Sequence, residues 1–316
     1  MNCVILDDYQ DCARSYADWS SLPQVTIRFV HEHLEGQDLL AVLHEADIVV
    51  AMRERTTFSA QLFDQLPLLR LLVTTGMRNA AIDLDAALSH GVVVTGTPGI
   101  PTPTGELTWA LILSMARNLT QETDGLRNGG SWQQSVGVDL AGKTLGLLGL
   151  GNIGLRVAKV GHAFAMNVIA WSPHLTAERA QAADVELVSR DAIFVKSDFL
   201  SIHLVLSPST RHIIADRELS LMKNTAFLIN TSRAGLLDTE ALIHALRSHQ
   251  IAGAGLDVFD IEPLPSGDIL RSLPNVLATP HLGYVSQDSY RCFYKGALED
   301  IQAWLKGTPI RVLSGT

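Results

Sequence analysis

A chain of 316 residues can bury two ordinary cores, and a composition of 47% hydrophobic and 18% charged residues excludes a disordered protein. A formal net charge of −9 with no offsetting basic block argues against nucleic acid as a partner, and no apolar run approaches the ~18 residues needed to span a bilayer. The three cysteines, Cys3, Cys12 and Cys292, have no metal-ligand spacing, and MNCVILDDYQ is not a signal peptide. Buried thiols, no metal site and a cytoplasmic location are therefore expected.

Five short runs rich in Val, Ile and Leu fill the first part of the chain: CVILD, VTIRFV, DIVVAM, LRLLVTTG and GVVVTGTP. Their apolar character on both faces predicts parallel strands covered by helices. SAQLFDQLPLL, between the third and fourth runs, has helical spacing and opens at Ser59. A helix is predicted next, from about Gly105 to Leu119. It is apolar nearly all round and should be buried between domains or subunits. GLRNGGSW after it has loop composition.

The alternation restarts at Lys143 with KTLGLLGLG, NVIAWS, VELVS, FLSIHL, TAFLINTS, IAGAGLDVF and VLATPH. Helical segments intervene, among them DTEALIHALRS with Asp238 as its N-cap. A long amphipathic segment from Ser286 to about Lys306 and the run PIRVL close the chain. The predicted class is α/β, with two doubly wound parallel-sheet units.

In LGLLGLGNIGLRVAKVGHAF, Gly149, Gly151 and Gly154 fall between an apolar strand and a helix, with Asn152 and Ile153 opening that helix. The first glycine permits the tight turn, the second admits a pyrophosphate to the backbone N–H groups, and the third lets helix and strand pack closely. The strand after this helix ends at Trp171-Ser172, where an acidic residue usually holds the ribose hydroxyls. Ser172 repels no 2′-phosphate, and His174 and Arg179 follow it, so both NAD and NADP stay open.

Three further stretches place ionisable residues just past strands: LINTSRAG with Arg233, GLDVFDIEPLP with Asp257 and Glu262, and ATPHLGY with His281 and Gly283. Ligands of open α/β sheets bind beyond the carboxyl ends of the strands, so these residues can converge on the nicotinamide end of a dinucleotide. Reduction of a 2-keto acid needs a hydride and a proton. His281 can supply the proton, Glu262 can orient its ring, and Arg233 offers a two-pronged donor for a carboxylate.

With these motifs in order over nearly the whole chain, the sequence resembles the D-isomer-specific 2-hydroxyacid dehydrogenase family. That resemblance implies oxidoreductase activity on a small D-2-hydroxy or 2-keto acid of the phosphoglycerate, hydroxypyruvate or glyoxylate type, with Arg233, Glu262 and His281 as catalytic residues. It also implies a flavodoxin-like substrate domain of residues 1–98 plus 284–316 and a Rossmann cofactor domain of residues 99–283. Asp257 would hold the nicotinamide amide, and Thr231, Ser232, His203 and Gly283 would lie along the cofactor. Thr75, Gly76 and Met77 match the loop that holds the substrate carboxylate, and Arg53 matches a substrate-facing position. The helix near 104–119 would contribute to a homodimer. The alternative is a dinucleotide-sensing regulator that keeps the fold without turnover.

Overall fold

The structure is a computed structural model, and it describes residues 1–314. The chain forms two compact units, Met1–Ile100 with the segment from Val285 onward, and Pro101–Tyr284.

In the first unit, β1 (Asn2–Ile5), β2 (Thr26–Phe29), β3 (Ile48–Ala51), β4 (Leu71–Thr74) and β5 (Val93–Gly96) form a parallel sheet in the order β2-β1-β3-β4-β5. The helices between them are α1 (Ala13–Tyr16), α2 (Gly36–Leu43), α3 (Ala60–Phe63) and α4 (Leu84–Ser89). β3 and β4 are buried throughout, as their continuous apolar runs predict. β2 departs from that expectation. It lies at the sheet edge, exposes Thr26 and Arg28, and half-buries Ile27 and Phe29, because one of its sides has no neighbouring strand.

The second unit opens with α5 (Thr102–Ala116) and α6 (Leu119–Arg127). The single helix expected from about 105 to 119 thus starts and ends about three residues earlier, with the same length of 15 residues. Pro101 and Pro103 favour an early start, since proline fits the first helical turn, and left-handed Asn118 (φ 50°) breaks the chain between the two helices. Part of the expected loop GLRNGGSW is the end of α6. α5 is also not buried on every side: Trp109, Leu111, Ile112 and Met115 are inside, whereas Ala110 is exposed.

Beyond α6 the unit alternates strands and helices as β6 (Thr144–Leu148), α7 (Asn152–Ala163), β7 (Asn167–Trp171), α8 (Ala177–Ala182), β8 (Glu186–Leu187), α9 (Arg190–Lys196) and β9 (Phe199–Ile202). It continues with α10 (Asp216–Leu221), β10 (Phe227–Asn230), α11 (Thr239–Arg247), β11 (Gly253–Leu256) and β12 (Val276–Ala278). The sheet order is β12-β11-β10-β9-β6-β7-β8, all parallel, and the order reverses at β6. Strand alternation sends Leu148, Leu200, Ile202 and Leu228 to a core on one face. Leu145, Leu147, Phe199 and Ile229 go to a second core on the other, which α5 and α7 cover.

The final helix α12 (Gln287–Leu305) returns to the first unit, capped by Ser286, whose hydroxyl accepts from Ser289 N. The tail after it lays Val312 antiparallel beside Thr95 at the β5 edge. Of the cysteines only Cys3 is buried, and burial pushes its thiol up to about 12. Cys12 and Cys292 are partly exposed, contrary to expectation. Among the described residues, no helix is long and apolar enough to cross a membrane.

Candidate active site

The carboxyl ends of β6, β7, β9, β10, β11 and β12 carry the candidate residues of the second unit. Gly149 has φ 102°, and a Cβ there would lie 2.6 Å from the carbonyl oxygen of His203, so only glycine makes the turn. At Gly154 a Cβ would collide with the Gly149 carbonyl, which enforces close packing of α7 on β6. At Gly151 a Cβ would meet nothing within 4 Å. The second glycine therefore leaves open space at the start of α7, where the N–H groups of Asn152 and Ile153 have no intrahelical acceptors. That cradle fits a pyrophosphate.

Ser172 follows β7 directly, half-buried, and its carbonyl accepts from Leu175 N. His174 and Arg179 are exposed beside it, Arg179 in the first turn of α8. At the end of β9, His203 bonds Ser201 Oγ through Nε2 at 2.9 Å. Burial pushes this imidazole down to about 4, so it is neutral at pH 7. Thr231 shares a 2.8 Å hydroxyl contact with Thr108 of α5, and Ser232 Oγ donates to the Leu204 carbonyl.

Asp257, at the end of β11, is fully buried. Its Oδ1 accepts from Thr279 Oγ1 at 2.6 Å and Leu282 N at 2.7 Å, and its Oδ2 accepts from Gly283 N at 2.8 Å. Burial raises its pKa, and these donors pull against that shift. One carboxylate thus fixes the chain on both sides of His281. Thr104 of α5 tightens the same loop by donating to the Gly283 carbonyl at 2.8 Å.

Within that loop His281 adopts φ 53°, a left-handed conformation uncommon outside glycine. Its Nδ1 lies 2.6 Å from Glu262 Oε2, and Glu262 Oε1 accepts from Phe259 N at 2.9 Å. Both carboxylate oxygens are therefore engaged, which fixes the ring tautomer with the proton on Nδ1 when the histidine is neutral. Arg233 begins the turn after β10, and its Nη1 donates to the Ser232 carbonyl.

In the first unit, Arg53 (φ 53°) follows β3 and Thr75 follows β4. Arg53 N donates to Thr75 Oγ1 at 2.9 Å, and Arg53 Nη1 reaches the Thr75 carbonyl at 3.3 Å, lying over Gly76 (φ 91°). Gly76 N donates to Thr97 Oγ1 at 2.9 Å, and Met77 is 46% exposed. The Thr75 hydroxyl and the Gly76 N–H are thus already bonded inside this unit. Asp8, Asp11 and His31 bring possible metal ligands within 4.8 Å of one another. His31 there faces Asp8 Oδ2 through Nδ1 at 3.8 Å and Asp11 Oδ1 through Nε2 at 3.6 Å.

Sequence reasoning missed the supports. Thr104, Thr108, Thr279 and Ser201 each bond a candidate residue or its loop. Thr104 and Thr108, four apart on a mostly apolar helix, were a legible signal that one helix face meets polar groups.

A doubly wound sheet whose order reverses beside a glycine turn, with a carboxylate-bound histidine past its edge strand β12, is the architecture of a dinucleotide-dependent oxidoreductase. The NAD binding domain of D-isomer specific 2-hydroxyacid dehydrogenases matches residues 109–283 of this chain. A hydroxypyruvate reductase of Thermotoga maritima is 39% identical over 266 residues, covering 82% of this chain and 85% of that protein. A glyoxylate reductase of Aeropyrum pernix is 38% identical over 280 residues, covering 86% and 83%. The solved phosphoglycerate oxidoreductase of Vibrio cholerae aligns with a TM-score of 0.93 at 35% identity, covering 98% of this chain and 100% of that one. The chain belongs to the D-isomer-specific 2-hydroxyacid dehydrogenase family. It is an oxidoreductase of D-2-hydroxy acids that uses a nicotinamide cofactor.

Proposed function

We propose that this protein reduces a small 2-keto acid of the hydroxypyruvate, glyoxylate or phosphohydroxypyruvate type, with His281 as general acid. The observation that carries this reading is the 2.6 Å contact of His281 Nδ1 with a Glu262 carboxylate whose other oxygen is also held. A carboxylate on Nδ1 stabilises imidazolium and leaves Nε2 to deliver a proton to the keto oxygen. A bound nicotinamide supplies the hydride. Arg233 holds the substrate carboxylate through two parallel N–H donors and polarises the carbonyl. In the oxidative direction the same His281, neutral, accepts the proton.

Gly149, Gly151 and Gly154 with the first turn of α7 would seat the pyrophosphate, and Thr231, Ser232, His203 and Gly283 would line the cofactor. Asp257, fully buried in this structure, is the proposed partner of the nicotinamide amide by its match to the family's motif. Ser172 in place of a carboxylate repels no 2′-phosphate, so the site permits NADP as well as NAD. Arg53 and the stretch Thr75–Met77 are proposed substrate contacts by their match to the family's motif. A homodimer is supported by the apolar side chains left exposed after α5, with Leu126 58%, Trp132 80% and Val136 95% accessible.

The test is NADH and NADPH oxidation, followed by absorbance, with glyoxylate, hydroxypyruvate, pyruvate and phosphohydroxypyruvate. Turnover is expected with at least one of these acids, and His281→Ala should cut kcat by about 10²–10⁴ while cofactor affinity is kept. Tight cofactor binding without turnover on any acid would overturn the proposal.

A further inference from the structure

We infer that Tyr284 is a positioning residue for His281. The inference deepens the proposed function, since it presumes the acid role of that histidine. The Glu262 contact fixes one atom of the imidazole, yet the ring can still swing about the Nδ1···Oε2 line and carry Nε2 through an arc. A second contact, away from that line, is needed to fix the plane.

Tyr284 supplies it. Its ring centroid lies 5.2 Å from that of His281 at an interplanar angle of 66°, in the range of favourable edge-to-face pairs. Tyr284 is buried, with 9% of its surface accessible, so its own ring has little freedom to retreat. The backbone leading to it is equally constrained: Asp257 holds Leu282 N and Gly283 N, and Thr104 holds the Gly283 carbonyl. His281 N closes the loop on its other side by donating to the Thr279 carbonyl at 2.9 Å. The left-handed backbone of His281 brings the imidazole back against the side chain three residues on. The result is a ring held at Nδ1 by a carboxylate and at its plane by an aromatic neighbour, while Nε2 has no hydrogen-bond partner among the described residues.

Proton delivery depends steeply on such alignment. An ångström of misplacement can cost about 10²-fold in rate without weakening substrate binding. The aromatic ring, not the hydroxyl, is the working part, so phenylalanine should replace tyrosine and an aliphatic residue should not.

The experiment compares Tyr284→Phe, Tyr284→Leu and His281→Asn with the wild type in steady-state 2-keto acid reduction, NADH affinity by fluorescence and thermal midpoint. Tyr284→Phe is expected within about twofold of wild-type kcat. Tyr284→Leu is expected to lower kcat roughly tenfold or more with NADH affinity unchanged. If Tyr284→Leu does not fold, Tyr284→Met carries the same comparison with a flexible side chain of similar length. Wild-type kcat in the aliphatic variant overturns the inference. So does an equal loss in Tyr284→Phe, or a loss confined to KM. His281→Asn separates the two readings. Full activity there removes the acid assignment itself, whereas a large loss there beside an unaffected Tyr284→Leu removes only the role of Tyr284.

Discussion

His281 owes its place to a carboxylate it does not touch. Asp257 accepts from Thr279, Leu282 and Gly283, so the residues flanking the histidine are tied to one buried point at the end of β11. Asparagine at 257 would turn its amide toward at least one of these donors and leave that donor buried without an acceptor. Such a group costs about 1–3 kcal/mol. Asp257→Asn should therefore lower the unfolding free energy by that amount and reduce kcat through a looser His281. Chemical denaturation beside steady-state kinetics checks both, and unchanged stability would show that the loop stands without the carboxylate. Glu262, Arg233 and His281 were legible at this scale because each sits in a short motif just past a strand. Which groups their supports would bond was not, because Thr104 lies 179 residues from the carbonyl it bonds.

Among the elements, the clearest physical device is the way the tail is fastened to β5. Arg311, itself left-handed at φ 53°, donates to Asp300 Oδ1 at 2.9 Å, to Glu299 Oε2 at 3.0 Å and to the Gly296 carbonyl at 2.8 Å. Leu313 N then pairs with the Val94 carbonyl and covers a sheet edge that would otherwise offer unpaired groups. Burial pushes the Asp300 carboxyl up to about 6, with Arg311 pulling the other way. The folded protein thus keeps a proton that the unfolded chain has released. The stability this carboxyl contributes falls as pH rises from about 4 through about 6 and is flat above that. Subtracting the thermal midpoints of Asp300→Asn from those of the wild type across this range should show the decline. A difference independent of pH would rule the shift out. Helix limits were the least legible part of the sequence: α5 ends at Ala116 because Asn118 turns left-handed, a local choice that apolar periodicity does not encode.

For the whole molecule, the exposed Trp132, Val136 and Leu126 lead to a definite expectation about assembly. Light scattering at micromolar concentration should give about twice the 34.3 kDa chain mass, and the monomer mass would remove the proposed dimer. The amino-acid sequence by itself determined that there would be twelve short parallel strands in two sheets, because apolar runs of that length, with helical spacing between them, can be buried only in such layers. It also determined the glycine turn, since Gly149 and Gly154 sit where any side chain would strike the backbone. Only the tertiary structure decided which groups meet. Hydrogen bonds such as Thr279 to Asp257 and Thr104 to Gly283, and the edge-to-face contact of Tyr284 with His281, depend on atoms brought together by packing. Chain order carries the type of each residue and the period of each element. The few ångströms that separate a bonded carboxylate from a solvated one are set by how the sheet, its crossovers and α5 come to rest against one another.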